Sequence, residues 1–353
     1  MASPVTLPMT QPEPPLRLTL DSAALVQNWR TLDRLSGSAR AGAAVKADAY
    51  GLGAPRVVKA LAAAGCRDFF VAYASEAAEL AGLVEAERIA ILHGPQDSAE
   101  AQWIAAQGYR PVINSVRQAS LWAEAGNGAC DLMVDTGINR LGIAMADLAA
   151  SEIAALDIQT VHSHLASADE ASALNAEQLG RWREARARIG KGEGSLANSA
   201  GIMLGSDYHG DLTRPGLALY GGVPCAALDG EIHQVAYPEA AIMQVRQLAA
   251  GDSVGYNATF VAPQPMRVGV VAQGYADGYL RCWSGKGAFR AGDAVLPVLG
   301  RVSMDMTVID LSAAPGLGEG DWVGLDYALP QAAAASGLSQ YELLTLLGRR
   351  FAR

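Results

Sequence analysis

The alternation of two kinds of segment between residues 41 and 222 constrains the fold more than any other feature. Short apolar runs alternate there with segments rich in Ala, Leu, Glu and Arg, the pattern of strands joined by crossover helices. This pattern predicts a parallel sheet, and eight strands close a (β/α)8 TIM barrel. The candidate strands begin near Ala43, Asp68, Arg88, Arg110, Asp131, Ile158, Ser195 and Leu217.

The pattern changes after about residue 230. Runs rich in Val, Gly, Pro and Asp follow, with turn residues between them, which predicts a mainly β C-terminal domain. The fold class is therefore α/β, with a barrel over residues 17–230 and a β domain over residues 231–353. A Pro-rich segment, residues 1–16, precedes the barrel, and we expect it to pack on the β domain.

The balance of charges favours small-molecule chemistry. The chain has 27 basic and 36 acidic residues, a net charge of −9. Nucleic acids and anionic membranes attract faces rich in Lys and Arg, so we exclude both as partners. No apolar run approaches the roughly 20 residues of a spanning helix, and the N-terminal residues do not resemble a secretory signal. We expect a cytoplasmic protein whose scattered cysteines are reduced.

Reactive side chains follow several of the predicted strands. In a barrel, groups at the carboxyl ends of the strands face one common site, so we expect a single cavity to collect these side chains. They are Lys46 and Tyr50 after the first strand, Asp135 and Arg140 after the fifth, His164 after the sixth, Asn198 and Ser199 after the seventh, and Arg214 and Tyr220 around the eighth.

Lys46 lies in an apolar run, where desolvation favours the neutral amine that Schiff-base chemistry requires. An ordinary strand-end lysine that reaches solvent fits the same position. The spacing Lys46-x-x-x-Tyr50-Gly51-x-Gly53 adds a phenol and a flexible loop, which can hold a phosphate through backbone N–H groups and one hydroxyl. A simple turn is the other interpretation of the glycine pair.

The stretch VKADAYGLG, residues 45–53, resembles the cofactor motif of the alanine racemases. The resemblance covers nearly the whole chain, because seven further motifs follow in the family's order. They are DTGINRLG at 135–142, HSHLASADE at 162–170, NSAG at 198–201, RPGLALYGG at 214–222, GDSVGYNATF at 251–260, GYADGYLR at 274–281 and GRVSMDMTVID at 300–310. It implies an isomerase that uses pyridoxal 5'-phosphate to interconvert L-alanine and D-alanine.

The resemblance implies two catalytic bases. Lys46 would carry the cofactor and serve the D-enantiomer, whereas Tyr256, supplied by the β domain of a partner subunit, would serve the L-enantiomer. Such a site requires a homodimer. Arg214 would face the pyridine nitrogen of the cofactor and keep it unprotonated. His164 and Arg214 would together favour the phenolate form of Tyr256.

The remaining roles concern binding. Arg140 would contact the phenolic oxygen of the cofactor and the carboxylate of the amino-acid substrate, assisted by the backbone N–H of Met304. Tyr275 and Asp305 would line the entrance. Further cofactor-binding residues, most of them around the phosphate, would be Tyr50, His164, Asn198, Ser199, Gly216, Leu217 and Tyr220.

Two positions depart from the family pattern. Many members have a lysine at the position of Met133, N-carboxylated to a carbamate that orients the equivalent of Arg140. We hypothesise that a bound anion, a side chain from elsewhere or a water network supports Arg140 instead. Leu52 stands where the motif often has histidine.

Three alternatives follow from these departures and from the fold. The first is an amino-acid racemase of broader scope, acting on serine, lysine or another amino acid. The second is a non-enzymatic pyridoxal-phosphate carrier, against which the second domain argues, and the third is a decarboxylase with the same domain plan. An alanine racemase would supply D-alanine for peptidoglycan or serve alanine catabolism, and the sequence favours neither role.

Overall fold

The computed structural model describes residues 12–348 and 350–352. The strands are β1 (Leu16–Leu20), β2 (Arg40–Ala41), β3 (Ala43–Ala44), β4 (Phe69–Val71), β5 (Ile89–Ile91), β6 (Arg110–Ile113), β7 (Ala129–Met133), β8 (Asp157–His162), β9 (Glu193–Ser195), β10 (Leu212–Thr213), β11 (Ala236–Leu248), β12 (Ser253–Val254), β13 (Phe260–Val261), β14 (Met266–Val271), β15 (Ala288–Ala291), β16 (Ala294–Leu299), β17 (Thr307–Asp310) and β18 (Trp322–Leu325). The helices are α1 (Ser22–Leu35), α2 (Lys46–Gly51), α3 (Ala54–Ala64), α4 (Ala74–Glu79), α5 (Ser98–Gln107), α6 (Val116–Glu124), α7 (Ser151–Ala154), α8 (Ala173–Ile189), α9 (Leu329–Ser336) and α10 (Gln340–Thr345).

The first domain is the predicted barrel. Strands β3 to β9 form a parallel sheet in chain order, and β10 pairs in parallel with β2. Strands β2 and β3 are two halves of one barrel strand, separated by Gly42, whose N–H donates to Thr213 O at 3.0 Å. On its other side, β10 is joined to β9 because Asp211 N–H donates to Gly194 O at 2.7 Å. Eight strand positions therefore close the ring, which confirms the predicted fold class.

The eighth strand lies earlier in the chain than predicted. We placed it near Leu217, but Leu217–Tyr220 is a buried turn of 3-10 helix and the strand is Leu212–Thr213. The Ser199 hydroxyl explains the difference, since it accepts hydrogen bonds from the backbone N–H groups of Gly216 and Ala218. An apolar run of this length fits a buried strand and a buried helical turn equally well.

The second domain is built around β11, which pairs antiparallel with β1, β14 and β18. Its sheet has the order β1-β11-β14-β17-β16-β15-β18, and the pairing of β11 with β18 closes it. The mainly β character of this domain agrees with the prediction. The four cysteines are free, and no helix of the described residues is long and apolar enough to cross a membrane.

The N-terminal part of the described chain belongs with the second domain. We assigned residues 17–20 to the barrel, but they lie in β1, which pairs with Ala236–Ala240 of β11. Just before β1, Pro15 O accepts a hydrogen bond from Ala241 N–H at 2.9 Å. Pro15 and Leu16 thus contact β11 of the β domain, whereas residues 1–11 of the predicted Pro-rich segment lie outside the described residues.

Candidate functional site

A cavity of about 620 Å³ opens at the carboxyl ends of the barrel strands. The predicted site residues that line it are Lys46, Tyr50, Arg140, His164, Asn198, Ser199, Arg214, Gly216 and Leu217. They come from loops that follow different strands, so the barrel brings together residues that are up to 171 positions apart in the chain. The geometry is that of the common site expected at this end of a barrel.

Lys46 begins an unusual segment. The four residues after it, Ala47 to Tyr50, all have left-handed backbone angles, with φ between 53° and 57°. Each such residue costs roughly 1–2 kcal/mol when it carries a side chain. Two carboxylates stabilise the segment: Glu76 accepts a hydrogen bond from Ala47 N–H at 2.6 Å, and Asp48 accepts one from Ala54 N–H at 2.7 Å. This strained segment thus lies beside the cavity, and strained backbone is often found at functional sites.

The amine of Lys46 is desolvated and surrounded by positive charge. Burial lowers its pKa, and the charge of Arg140 lowers it further; Glu76 opposes the shift and Arg214 adds to it. A lysine with a lowered pKa has more of its amine in the neutral, nucleophilic form. The position therefore favours a covalent bond between the amine and a carbonyl carbon.

A cradle for an anion lies in the same cavity as Lys46. The Ser199 hydroxyl lies within 3.0 Å of Gly216 N and 3.3 Å of Ala218 N, at the start of a helical turn. A Cβ atom at Gly216 would lie 2.3 Å from the Tyr50 hydroxyl, so only glycine fits this close to Tyr50. Hydroxyls and backbone N–H groups at the start of a helical turn are typical of phosphate sites.

Tyr220 supports this cradle without lining it. The side chain is fully buried, and its hydroxyl donates to Ala44 O at 2.7 Å. Its ring packs against that of Tyr50 with 4.8 Å between centroids. We expected Tyr220 to bind the cofactor, but because its hydroxyl is bonded in the core it instead fixes Tyr50.

Arg214 lies at the base of the cavity and is 7% exposed. Its terminal nitrogens donate to Ser195 O at 2.8 Å and to Ser163 O at 2.5 Å. Within the described chain, no acceptor pairs with its Nε–H. Burial lowers the pKa of Arg214 to about 10, against the opposing charge of Asp131, so the side chain is still cationic at neutral pH.

The charge state of His164 differs from our expectation. Burial lowers its pKa to about 3, and the charges of Arg214, Arg140 and Lys46 act in the same direction. His164 is therefore neutral at neutral pH and contributes no positive charge to a nearby phenol. The positive charges near His164 come from Arg214, Arg140 and Lys46 instead.

Arg140 is exposed at the cavity and, among the described residues, has no hydrogen bond or ion pair. The loop that carries it is fixed by Asp135, whose Oδ1 accepts from the N–H groups of Gly137, Ile138 and Asn139 at 2.9 to 3.1 Å. Met133 lines the same cavity, so no carboxylate stands in the place of the family's carbamate. The other departure, Leu52, is fully buried and lies outside the cavity lining.

Four predicted residues lie elsewhere in this chain. Tyr256 and Met304 are surface residues of the second domain, 62% and 54% exposed. Asp305 is exposed and pairs with Arg350 at 2.8 Å, and the ring of Tyr275 lies 5.3 Å from the guanidinium of Arg281. None of the four lines the cavity formed by this subunit's described residues.

The sequence analysis missed several lining residues. His93 and Asn114 follow β5 and β6, so the strand-end rule that selected the other candidates also applies to them. Tyr341 and Thr345 come from α10 of the second domain. The ring of Tyr341 lies 6.1 Å from that of Tyr50, and no local sequence signal indicates this contact.

Two family models match the chain almost from end to end. The model described as "Alanine racemase, N-terminal domain" covers residues 20–224, and "Alanine racemase, C-terminal domain" covers residues 235–353. The chain belongs to the alanine racemase family.

Curated relatives and solved structures agree with this assignment. Two enzymes of Agrobacterium fabrum, named biosynthetic and catabolic alanine racemase, are each 41% identical to the chain, and the alignments cover 96% and 95% of it and 93% and 91% of the relatives. An alanine racemase structure from Bartonella henselae, with covalently bound pyridoxal phosphate, is 34% identical with a TM-score of 0.87. A biosynthetic alanine racemase from Pseudomonas aeruginosa is also 34% identical, with a TM-score of 0.86. Both structural alignments cover 97% of this chain and 99% of the other.

Pyridoxal 5'-phosphate is the cofactor of the family, and the cavity has the chemistry to hold it. Its described lining contains lysine, histidine and arginine but no aspartate or glutamate, as an anionic ligand requires. The lowered pKa of Lys46 suits the cofactor's aldehyde, and the cradle at Ser199 and Gly216 suits its phosphate. Arg214 is available at the base for a ring nitrogen.

Proposed function

We propose that this chain interconverts L-alanine and D-alanine as a homodimer, with Lys46 and Tyr256 as the two groups that exchange protons at Cα of the substrate. The proposal is supported by two observations, a desolvated lysine in a cavity lined by cationic groups and a tyrosine that is 62% exposed on the other domain. A racemase needs one acid-base group on each face of Cα. The exposure of Tyr256 supports a role for this side chain in the site of a second subunit.

The cavity's own side chains leave a gap for this second group. Burial raises the pKa of Tyr50, and a second tyrosine, Tyr341, is shifted in the same direction, so both hold their protons tightly. His164, with its pKa of about 3, is too weak a base. Among the described lining residues, His93 is the one rival, because burial, followed by the charge of Lys46, lowers its pKa and leaves a neutral imidazole in the lining.

Other residues of the chain bind the cofactor and the substrate. When bound, pyridoxal phosphate withdraws electrons from Cα and so acidifies its proton. Arg214 would hold the ring nitrogen through a hydrogen bond and, as a cation at neutral pH, would disfavour protonation there. Ser199, Gly216 and Tyr50 hold the phosphate. Arg140 binds the substrate carboxylate, aided by the backbone N–H of the Met304 position in the second subunit.

The substrate range depends on Arg140. Because no carboxylate at position 133 orients it, its guanidinium is held less rigidly than one fixed by a carbamate, and a bound anion or water is the support we propose. This freedom favours acceptance of amino acids larger than alanine. Serine and lysine therefore belong in the assay panel.

We place the enzyme in the cytoplasm, a location that suits its four free cysteines. The physiological direction has two candidates, D-alanine supply for peptidoglycan and alanine catabolism. Relatives with biosynthetic and catabolic names are both 41% identical to the chain, so similarity alone favours neither.

A chiral assay of the purified protein with added pyridoxal phosphate tests the proposal. We expect conversion of L-alanine to D-alanine and the reverse, loss of both in Lys46→Ala, and a large loss in Tyr256→Phe. The matched variant His93→Gln should retain most activity. Strong loss in His93→Gln with normal activity in Tyr256→Phe would instead make the imidazole the second base. Sedimentation should give a dimer.

A further inference from the structure

A series of alternating charges runs through the barrel behind Arg214. We call it the charge array, and it consists of Glu193, Arg40, Asp68, Arg110, Asp131, His162 and Arg214. These residues lie on or beside seven barrel strands. The array connects the exposed amino-terminal rim of the barrel with the base of the cavity.

The outer half of the array is partly exposed. Arg40 bonds Glu193 at 3.0 Å through Nη1 and Asp68 at 2.8 Å through Nε. Asp68 in turn lies 3.6 Å from Nη2 of Arg110. The side chains of Arg40 and Glu193 are 38% and 46% exposed, so water screens these charges.

The inner half is almost dry. Asp131 Oδ2 accepts from Arg110 Nε at 3.0 Å and lies 3.1 Å from Nε2 of His162. Nδ1 of His162 lies 3.3 Å from Nη1 of Arg214. The Asp131 and His162 side chains are 0% exposed. In a region without water, each polar contact is stronger and each missing partner is costly.

These neighbours fix the protonation state of His162. A carboxylate only accepts hydrogen bonds, so the hydrogen of the imidazole must be on Nε2, facing Asp131. A guanidinium only donates, so Nδ1 must be a bare acceptor facing Arg214. A doubly protonated ring would place an N–H against the N–H of Arg214 and two positive charges in contact. The ring is therefore neutral, with one defined tautomer.

The array also explains how a buried guanidinium is tolerated. Arg214 is one of three arginines in the array, and the three carboxylates of Asp68, Asp131 and Glu193 balance them when His162 is neutral. Of the acceptors around Arg214, only His162 is itself bonded to a carboxylate. Ser163 and Ser195 supply neutral oxygen atoms.

We propose that His162, fixed by Asp131 and Arg110, is a positioning residue for Arg214: it holds the guanidinium in the orientation that presents Nε–H to the ring nitrogen of the cofactor. This inference rests on the proposed racemase function. It assigns the residues behind Arg214 a role in reaction specificity, since a displaced guanidinium exposes the ring nitrogen to protonation. A protonated ring nitrogen withdraws electrons more strongly and favours transamination over racemisation.

The first test is independent of turnover. Nitrogen-15 NMR of histidine-labelled holoenzyme and cofactor-free protein reports which ring nitrogen carries hydrogen, and the signal of His162 is the one lost in His162→Gln. We expect a neutral ring with hydrogen on Nε2 at neutral pH in both forms. A cationic ring, or hydrogen on Nδ1, would overturn the proposal.

The second test compares substitutions in the holoenzyme. His162→Leu removes the acceptor for Arg214, whereas His162→Gln keeps both an amide N–H for Asp131 and an amide oxygen for Arg214. His209→Leu is the matched control, because His209 is also buried, its ring nitrogens lie within 2.9 Å of Ser36 O and Ile202 O, and it is outside the cavity lining.

We expect the ratio of transamination to racemisation to rise about tenfold or more in His162→Leu, as for other residues that orient a ligand from behind. His162→Gln should restore the ratio to near the unsubstituted value, and His209→Leu should lose thermal stability without changing it. Asp131→Asn keeps the hydrogen bonds but removes the charge, and it should also raise the ratio. This variant provides the test if His162→Leu fails to fold. An unchanged ratio in folded His162→Leu and Asp131→Asn would overturn the inference. Absence of racemisation in the unsubstituted enzyme would instead refute the proposed function.

Discussion

Gly216 offers the sharpest perturbation of the cofactor cradle. In Gly216→Ala, the new methyl would lie 2.3 Å from the Tyr50 hydroxyl and 3.0 Å from Cζ of the same ring, about 1 Å inside the 3.4 Å of ordinary contact. Tyr50 cannot move aside freely, because it is 8% exposed, ends the left-handed segment and packs on Tyr220. The backbone φ of Gly216 is −132°, outside the left-handed region, so we attribute the effect to this contact.

The size of the effect follows from two costs. Overpacking a buried site costs about 1–3 kcal/mol, and separating the Tyr50 hydroxyl from a phosphate removes a charge-assisted hydrogen bond of about 1.5–3 kcal/mol. If it falls on the bound state, the first cost corresponds to roughly 5- to 150-fold weaker cofactor binding and the second to roughly 10- to 150-fold.

The assay is a titration of cofactor-free protein with pyridoxal phosphate, followed by absorbance. Gly180→Ala is the matched control: Gly180 lies in α8, and an added Cβ there meets nothing within 4 Å. We expect the control to bind the cofactor normally and to gain roughly 0.5–1 kcal/mol in stability. Normal cofactor affinity in Gly216→Ala would refute the assignment of the cradle.

Three further changes test other parts of the account. The Glu76 carboxylate accepts from the N–H groups of Ala47, Ala72 and Tyr73 through its two oxygens, and Glu76→Gln keeps only one of these oxygens; we expect a loss of about 1–3 kcal/mol in urea unfolding, and an unchanged midpoint would contradict the role we give to Glu76. His164 has a folded pKa of about 3 against 6.5 unfolded, so between these pH values the unfolded chain binds more protons than the folded chain. The free energy of unfolding therefore decreases as the pH is lowered through this range, by up to about 1.4 kcal/mol per pH unit. His164→Gln should flatten this part of the urea-stability profile, and an equally steep profile would show that His164 titrates normally. Arg140→Lys should raise KM for alanine about tenfold with a smaller change in kcat, because a lysine cannot form the bidentate carboxylate contact; an unchanged KM would exclude Arg140 as the carboxylate ligand.

The barrel could be predicted because its signal is local. Each strand and helix has its own apolar periodicity, and the site residues follow the strands in a fixed order. The position of the eighth strand could not be predicted, since the bonds from Gly216 and Ala218 to Ser199 that form the helical turn span 17 and 19 residues. The residues of β1 and β11 that pair are still farther apart in the sequence, and no local pattern indicates their pairing.

The site residues likewise fall into those that barrel geometry predicts and those that only the tertiary structure reveals. Lys46, Ser199 and Arg214 follow barrel strands, so the geometry of a barrel suffices to bring them together. Tyr341 enters from another domain, and only the tertiary structure reveals its contact with Tyr50. The neutral state of His164 was missed for a related reason: its pKa depends on burial and on the charges of Arg214, Arg140 and Lys46, which come from elsewhere in the chain.

The central claim is that each active site combines Lys46 of one subunit with Tyr256 of the other. Mixing the inactive variants Lys46→Ala and Tyr256→Phe after dissociation and reassociation tests it directly. In a randomly mixed homodimer population, half of the dimers are hybrids, and each hybrid has one site with both residues intact, so roughly one quarter of the original alanine racemisation should return. If both residues acted within a single subunit, no hybrid would contain an intact site, and the mixture would stay as inactive as its components.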